Sequence, residues 1–257
     1  MPSKEIRSYR EFLKDSLRLK INFNQTDQNQ GVAPPPVQKP QRPDQQLIEL
    51  PDEENRQKML GTDLIDAIDR RRSHRRFTDQ SLSLDELGFL LWSTQGVKGV
   101  IGPGCTLRTV PSAGCRHAFE TYLLVNRIEQ LPNGIYRYLP LEHALVAEQR
   151  NIDIRQRLTQ ATLGQAFIAS APVTFVWTVI PYRMEWRYLT AAHRVILLDA
   201  GHLCQNLYLA CEAIGCGTCA IAAYRQEDLD RFLGLDGEEE LVVYLAPVGK
   251  VEETQGR

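Results

Sequence analysis

Arginine is concentrated in residues 70–77, whose sequence is RRRSHRRF. Fixed positive charge, forked guanidinium donors and a small hydroxyl are the groups that hold a phosphate, and this stretch supplies all three. The candidate phosphate ligands are Arg71, Arg72, Ser73 and Arg75. A solvated basic turn at the C-terminus of a helix is the alternative, and an isolated arginine cluster more often has that role.

Two later segments could present backbone N–H groups to a ligand. Residues 111–113 (PSA) form a turn with a hydroxyl donor, although a simple loop would have the same composition. Residues 215–223 (GCGTCAIAA) are small, so a flat ligand can approach the backbone. Cys216 and Cys219 have redox-motif spacing, but they follow a helix instead of opening one, so no helix dipole lowers the pKa of a thiol. Structural cysteines are the better interpretation.

The sequence gives little support for a metal-binding site. His193 and His202 are nine residues apart, and no set of histidines and cysteines has the spacing of metal ligands, so we expect no metal site. His202 is better interpreted as a hydrogen-bonded buried histidine than as a catalyst. Six cysteines are too few for a disulfide scaffold in 257 residues, and we expect them to be reduced.

The composition of the chain indicates which partners and which cellular location to expect. The formal net charge is −2 and no strongly basic face is visible, which argues against nucleic acid as a partner. The first 18 residues are rich in charge. We therefore expect no signal peptide and no membrane segment, and a cytoplasmic protein.

The longest apolar-periodic run of the chain covers residues 193–215. Ile196, Ala200 and Leu203 lie on one helical face, and Leu197 and Leu198 make the opposite side nearly as apolar. Polar residues interrupt the run too often for a membrane span. The pattern predicts a helix at the centre of the fold or of a subunit interface, ended by a glycine.

The first 60 residues look different from the rest of the chain. Residues 3–21 have apolar residues at helical spacing, which predicts a short amphipathic helix that packs on the main body. Residues 25–46 are rich in proline and glutamine and predict an extended arm. The arm is either a disordered spacer or a wrap around a neighbouring subunit. We therefore divide the chain into an N-terminal helix and arm, residues 1–60, and a main domain, residues 61–257.

Helices and short strands alternate along the main domain. The patterns predict helices over residues 63–72, with Leu64, Ile65 and Ile68 inward, from a capping box at residues 83–86, over 153–169, and over 226–233 before Gly234. They predict strands over residues 121–125, 172–180 and 241–248, a hairpin turn at residues 133–134 and a loop over residues 96–118. No strict βαβ repeat is present, so an α+β fold with a mostly antiparallel sheet is expected.

Seven ordered motifs carry a family resemblance. They are RRRSHRRF (70–77), LSLDELGFLLWSTQGV (82–97), RTVPSAG (108–114), ETYLLV (120–125), GIYRY (134–138), LLDAGHLCQNLYLA (197–210) and AIGCGTCAI (213–221). In this order they resemble the nitroreductase superfamily of FMN enzymes, and within it the branch of SagB-type dehydrogenases and thiazoline oxidases. The resemblance covers residues 61–250, and FLKD (12–15), TDQ (26–28) and PPP (34–36) resemble stand-alone bacterial members of that branch.

The resemblance implies an FMN-binding, intertwined α+β homodimer with helices on both sides of the sheet and two active sites at the subunit interface. It assigns the FMN phosphate and ribityl chain to Arg71, Arg72, Ser73 and Arg75, with Lys250 as a further phosphate ligand. It brings Pro111, Ser112 and Ala113 to the flavin of the other subunit. It also places Ala220, Ile221, Ala222 and Ala223 at the loop whose amides face flavin N5 and O4.

Two activities follow from the resemblance. One is hydride transfer between NAD(P)H and a small organic acceptor such as a nitro compound or a quinone. The other is oxidation of an azoline or another peptide-derived heterocycle. Thiazoline oxidases resemble one another in a Lys-Tyr pair, which aligns here with Arg187 and Tyr188. Because arginine stays protonated it cannot act as the base, which favours the first activity and leaves Tyr188 as an acid or anchor. A flavin-binding relative without turnover is the third alternative.

Overall fold

The structure is a computed structural model that describes residues 3–52, 54, 55, 59 and 61–252. Its strands are β1 (Leu47–Glu49), β2 (Val97–Gly102), β3 (Cys105–Arg108), β4 (Phe119–Val125), β5 (Gly134–Leu139), β6 (Ala144–Arg150), β7 (Val173–Val179), β8 (Cys216–Thr218) and β9 (Leu241–Lys250). Seven of them form one antiparallel sheet in the order β1-β6-β5-β4-β7-β9-β8, and β2 pairs with β3 alone. The predicted boundary of the N-terminal segment falls at residue 60, outside the described residues.

Helices cover both faces of this sheet. The helices of the described residues are α1 (Lys4–Tyr9), α2 (Leu64–Arg70), α3 (Leu84–Gln95), α4 (Arg155–Ala161), α5 (Ala166–Ser170), α6 (Tyr182–Tyr188), α7 (Ala192–Ala213) and α8 (Gln226–Leu233). The predicted α+β class with an antiparallel sheet is confirmed. Among the described helices, none combines the length and the apolar character needed to cross a membrane.

Strand β4 contributes to two hydrophobic cores, because successive side chains of a strand point to opposite faces. Leu123 belongs to the core that the sheet shares with α3 and α7. Leu124 belongs to the core on the other face, shared with α4 and α8. The long helix α7 therefore lies against one face of the sheet.

Helix α7 has 22 residues and buries one face only. Ile196, Ala200 and Leu203 are buried, as the periodicity predicts. Leu197 and Leu198, on the other side, are 50% and 54% exposed. Within one chain the helix is thus amphipathic, and its second apolar face is free to meet another surface.

The expected orientation of helix α2 is wrong. It spans Leu64–Arg70, and its only buried residue is Ala67. The predicted inward residues Leu64, Ile65 and Ile68 are 63%, 77% and 58% exposed. The helical spacing is real, but the apolar face that it creates points away from the core of its own chain.

Other differences concern turns. The predicted loop over residues 96–118 contains the hairpin of β2 and β3. The predicted helix over residues 153–169 is broken into α4 and α5, because Leu163 and Gly164 have φ of 58° and 80°. Strands β4 and β5 do pair, but the eight residues 126–133 connect them instead of a tight turn.

The N-terminal segment also departs from expectation. After α1 the chain makes the 3₁₀ turns Arg10–Leu13 and Asp15–Lys20, and none of these elements has a buried residue. The segment therefore contacts the main body near residues 189–191 without burying an apolar face there. Its contact with α7 is the exposed pair of Asp15 and Arg194, whose Oδ1 and Nη1 are 3.3 Å apart.

The arm over residues 25–46 binds to its own chain and so is not a disordered spacer, whereas a wrap around a neighbouring subunit stays a prediction. Buried arginines hold its carbonyl groups: Arg108 Nη2 donates to Val37 O (2.7 Å), and Arg137 Nη1 donates to Lys39 O (2.8 Å). The N–H of Lys39 in turn donates to Oε1 of the buried Glu120 (2.7 Å). Between its own turns, the arm thus pairs backbone polar groups with side chains of β3, β4 and β5.

Candidate functional site

The arginine-rich segment is fixed along the edge of the sheet at β8. His74 N donates to Thr218 O (2.9 Å), and Thr78 N donates to Lys250 O (2.9 Å). A Cβ on Gly217 would lie 2.6 Å from the His74 ring, so only glycine lets the segment approach this closely. The candidate phosphate ligands are thereby placed beside the small residues that follow α7.

One residue of α7 connects the two predicted cofactor segments. The hydroxyl of Tyr208 lies 2.8 Å from Ser73 Oγ and accepts a hydrogen bond from Ala220 N (2.8 Å). The guanidinium of Arg71 lies over the Tyr208 ring, 5.3 Å from its centroid. Tyr208 itself is 8% exposed. No motif or spacing in the sequence singled out Tyr208, although a tyrosine on an otherwise apolar helical face needs a partner for its hydroxyl.

The arginine cluster has the donor set that a phosphate ester requires. Arg71 is half-buried, and Arg72, Ser73 and Arg75 are exposed. Glu212 is the nearby acidic residue: burial raises its pKa, and the neighbouring arginines oppose that shift. Positive charge therefore exceeds negative charge here, and the residues fit an anionic ligand.

The loop after β8 offers two backbone donors. The N–H of Ile221 is taken, because it donates to Leu245 O (2.8 Å), and Ile221 is buried. Ala222 and Ala223 are exposed, and within the described residues their N–H groups donate to no other backbone or side-chain group. A contact of these two amides with the flavin ring stays a prediction, whereas Ile221 packs into the core beneath them.

Lys250 is already paired in the structure. Its ammonium forms an ion pair with Glu86 and donates to Ile214 O (2.8 Å). Burial by itself lowers the pKa of Lys250, but the hydrogen bond and charge of Glu86 together with the interaction with Cys216 raise the pKa overall. Glu86 also completes the capping box of α3 with Ser83. A direct contact between Lys250 and a phosphate stays a prediction, and it requires exchange of these partners.

Residues 111–113, which are predicted to contact the flavin of the other subunit, begin a strained turn. The non-glycine residues Cys115 and His117 have φ of 56° and 45°. Ser112 Oγ accepts a hydrogen bond from His117 N (2.9 Å). Such φ values persist only where surrounding contacts impose them, and they are concentrated at functional sites.

Asp199 of α7 lies beneath this turn. Burial raises its pKa, and hydrogen bonds from the Ser112 hydroxyl and the Ala113 N–H oppose the shift. The carboxylate also lies 3.7 Å from Nδ1 of His202, and its Oδ2 is buried without a partner among the described residues. His202 is about half exposed, so it is not the buried histidine that the sequence predicts.

Tyr188 comes to the same turn. A Cβ on Gly114 would lie 2.6 Å from the Tyr188 hydroxyl oxygen and 2.8 Å from Arg187 Nε, so both side chains lie against that glycine. The guanidinium of Arg187 lies over the Tyr188 ring, 5.6 Å from its centroid. The structure thus groups the predicted catalytic residue with residues 111–114.

The two groups of predicted site residues lie at opposite edges of the buried face of α7, which contains both Asp199 and Tyr208. Asp199 and Tyr208 are nine residues apart, which on an α-helix is about 180° of rotation and about 13.5 Å of rise. The turn beneath which Asp199 lies and the arginine segment held by Tyr208 therefore face different directions.

The chain matches known proteins over most of its length. A model of the nitroreductase family matches residues 68–250. A protein of Methanocaldococcus jannaschii that is classed as a nitroreductase is 31% identical over 205 residues, which are 79% of this chain and 96% of that protein.

Two further matches add a structure and a more distant relative. A crystal structure from Ralstonia eutropha JMP134, also classed as a nitroreductase, has 27% identity and a TM-score of 0.67, with 86% of this chain and 95% of that chain covered. The microcin B17-processing protein McbC of Escherichia coli is 27% identical over 143 residues, which are 52% of this chain and 51% of McbC. This chain thus aligns with about half the length of McbC.

Proposed function

This chain belongs to the nitroreductase family, and from that premise we propose that it is an FMN-dependent oxidoreductase. It takes hydride from NAD(P)H and passes it to a small organic acceptor, such as a nitro compound or a quinone. The observation that carries the proposal is the connection of Arg71 and Ser73 to the loop of Ala220 through Tyr208. It brings an anion-binding donor set next to small residues with free amides.

Each part of the site has a separate task. Arg71, Ser73 and Arg75 bind the FMN phosphate, and the amides of Ala222 and Ala223 orient the ring. When bound, FMN supplies the hydride chemistry, so the protein needs no acid or base of its own for that transfer. Positive charge and oriented donors stabilise the ring where negative charge develops on reduction.

The proposal includes a homodimer with its active sites at the interface. The turn of residues 111–113 and the arginine segment face different directions, so the turn of one chain completes the site of the other. Exposed apolar side chains on α7 and α2 supply an interface: Leu197, Leu198, Leu64, Ile65 and Ile68. A stable monomer that retains FMN in a sizing experiment contradicts this part of the proposal.

Mixing FMN-loaded protein with NADPH under nitrogen tests the activity. Loss of the flavin absorbance within seconds, followed by its return on addition of a quinone, supports the proposal. An unchanged spectrum with both NADH and NADPH contradicts it.

Cofactor affinity tests the phosphate ligands. Arg71→Ala and Arg75→Ala each remove a charge-assisted contact, and we expect FMN affinity to fall by about 1.5–3 kcal/mol, or about 10- to 150-fold. Arg76→Ala is the matched control, since Arg76 is exposed in the same segment and is not assigned to the cofactor. Equal FMN content in all three variants refutes the assignment.

A second candidate activity is oxidation of a peptide-derived heterocycle. Two observations favour it: the similarity to the microcin B17-processing protein McbC, and the position of Tyr188 against Gly114. In this activity Tyr188 anchors or protonates the substrate and a peptide replaces NAD(P)H as the reductant. Loss of flavin absorbance with an azoline peptide, but not with NADPH, under nitrogen identifies this activity. Retention of FMN without reduction by either compound indicates a flavin-binding relative without turnover.

A further inference from the structure

We propose that Tyr208 is a positioning residue that orders the donors of the FMN phosphate site through a hydrogen-bond relay from the backbone of Ala220 to the hydroxyl of Ser73. This inference rests on the proposed function, since it concerns the same cofactor site. It goes further by assigning a direction to each hydrogen bond of the site.

The proposed direction uses the single proton that a phenol has to donate. A tyrosine hydroxyl has one proton to donate. Because the oxygen of Tyr208 accepts the N–H of Ala220 at 2.8 Å, its own proton is available for Ser73 Oγ, also at 2.8 Å. The proposal makes Tyr208 the donor and Ser73 the acceptor in that pair.

An occupied acceptor on Ser73 leaves the serine proton free to point outward. All three donors, Ala220 N–H, Tyr208 O–H and Ser73 O–H, are then aligned toward the position of an anion. Hydrogen bonds that point the same way along a chain polarise and strengthen one another. The backbone amide of Ala220 thereby acts on the phosphate without touching it.

The ring of Tyr208 has a separate effect on Arg71. The guanidinium lies 5.3 Å from the ring centroid, a cation–π arrangement that limits the conformations of a long side chain. Ser73 and Arg71 are therefore both oriented before the ligand arrives. A preoriented site loses less conformational entropy on binding.

The test compares FMN with riboflavin, which lacks the phosphate. In Tyr208→Phe the ring and its contact with Arg71 remain, but the relay is removed. We expect FMN affinity to fall about tenfold, as for loss of one hydrogen bond to a charged group, and riboflavin affinity to change much less. The ratio of the two affinities is the diagnostic quantity, because a general loss of structure weakens both ligands alike.

A double-mutant cycle isolates the relay. Once Ser73 is replaced by alanine, the hydroxyl of Tyr208 has no serine to orient. Tyr208→Phe should then lower the FMN-to-riboflavin ratio far less in the Ser73→Ala background than in the wild type. Additive effects on this ratio overturn the proposal.

Two further variants keep the test decisive. Tyr244→Phe is the control, since Tyr244 packs against the same core near Cys204 and Tyr208, and Ser73 is not among the groups that act on its hydroxyl; we expect an unchanged ratio. If Tyr208→Phe does not fold, the ratio of FMN to riboflavin affinity is measured in Ser73→Ala alone. Ser73 is exposed, so its replacement disturbs the core less than that of Tyr208. A ratio unaffected by Ser73→Ala overturns the inference. Failure of the wild type to bind FMN instead refutes the proposed function.

Discussion

Removal of the Arg137 guanidinium should release the N-terminal arm and destabilise the whole fold. The side chain is 1% exposed on β5. It donates to Lys39 O (2.8 Å), to Pro40 O (2.9 Å) and to Glu148 Oε1 (3.0 Å). Each of its three nitrogens thus donates one hydrogen bond, two of them to carbonyl groups of the arm and one to the neighbouring strand β6.

The magnitude follows from the partners left behind. In Arg137→Ala the carboxylate of Glu120, which is 1% exposed and 3.6 Å from Arg137, loses a compensating charge. Removing one partner of a buried ion pair typically costs about 3–5 kcal/mol. The unfolding free energy of Arg137→Lys should lie between those of the wild type and the alanine variant, because the ammonium group of lysine cannot contact two carbonyl groups and a carboxylate at once.

Urea unfolding and limited proteolysis measure the two consequences. We expect a lower unfolding free energy in Arg137→Ala, together with faster cleavage within residues 25–46. Arg150→Ala is the matched control, since Arg150 is exposed at the end of β6 and its loss should change stability by less than about 0.5 kcal/mol. If Arg137→Ala behaves like this control in both assays, the buried arginine does not anchor the arm.

Two other predictions concern the strained turn. Burial lowers the pKa of His117 to about 3 from 6.5, so the stability that neutral His117 provides is complete above pH 6.5 and is lost as the pH falls toward 3. Stability of His117→Gln should therefore fall less than that of the wild type between pH 6.5 and 4.5, and parallel profiles in urea unfolding contradict this. Gly114→Ala should lower the unfolding free energy by about 1–2 kcal/mol, because Gly114 has φ of 59° and a Cβ would meet Tyr188. Gly99→Ala, where a Cβ meets nothing within 4 Å, is its control, and equal losses refute the role of strain.

The sequence by itself determined the local elements and the family. The capping box of Ser83 and Glu86 forms as predicted, and α8 ends at Gly234 with φ of 74°. The apolar run of residues 172–180 becomes the buried strand β7. These features depend on residues within a few positions of one another, so their periodicity and turn chemistry can be read along the chain. The order of the motifs likewise identified the nitroreductase family, which the comparisons confirm.

Only the tertiary structure decided how these elements meet. Ser73 and Tyr208 are 135 residues apart, and Arg137 and Lys39 are 98 apart. Neither contact leaves a periodic signal, because each depends on two side chains that the packing of α7 and the sheet brings together. For the same reason the spacing of Leu64, Ile65 and Ile68 revealed an apolar face of α2 but not what that face would contact. A local pattern indicates that a residue requires a hydrogen-bond partner or an apolar contact, and the tertiary fold determines which distant group provides it.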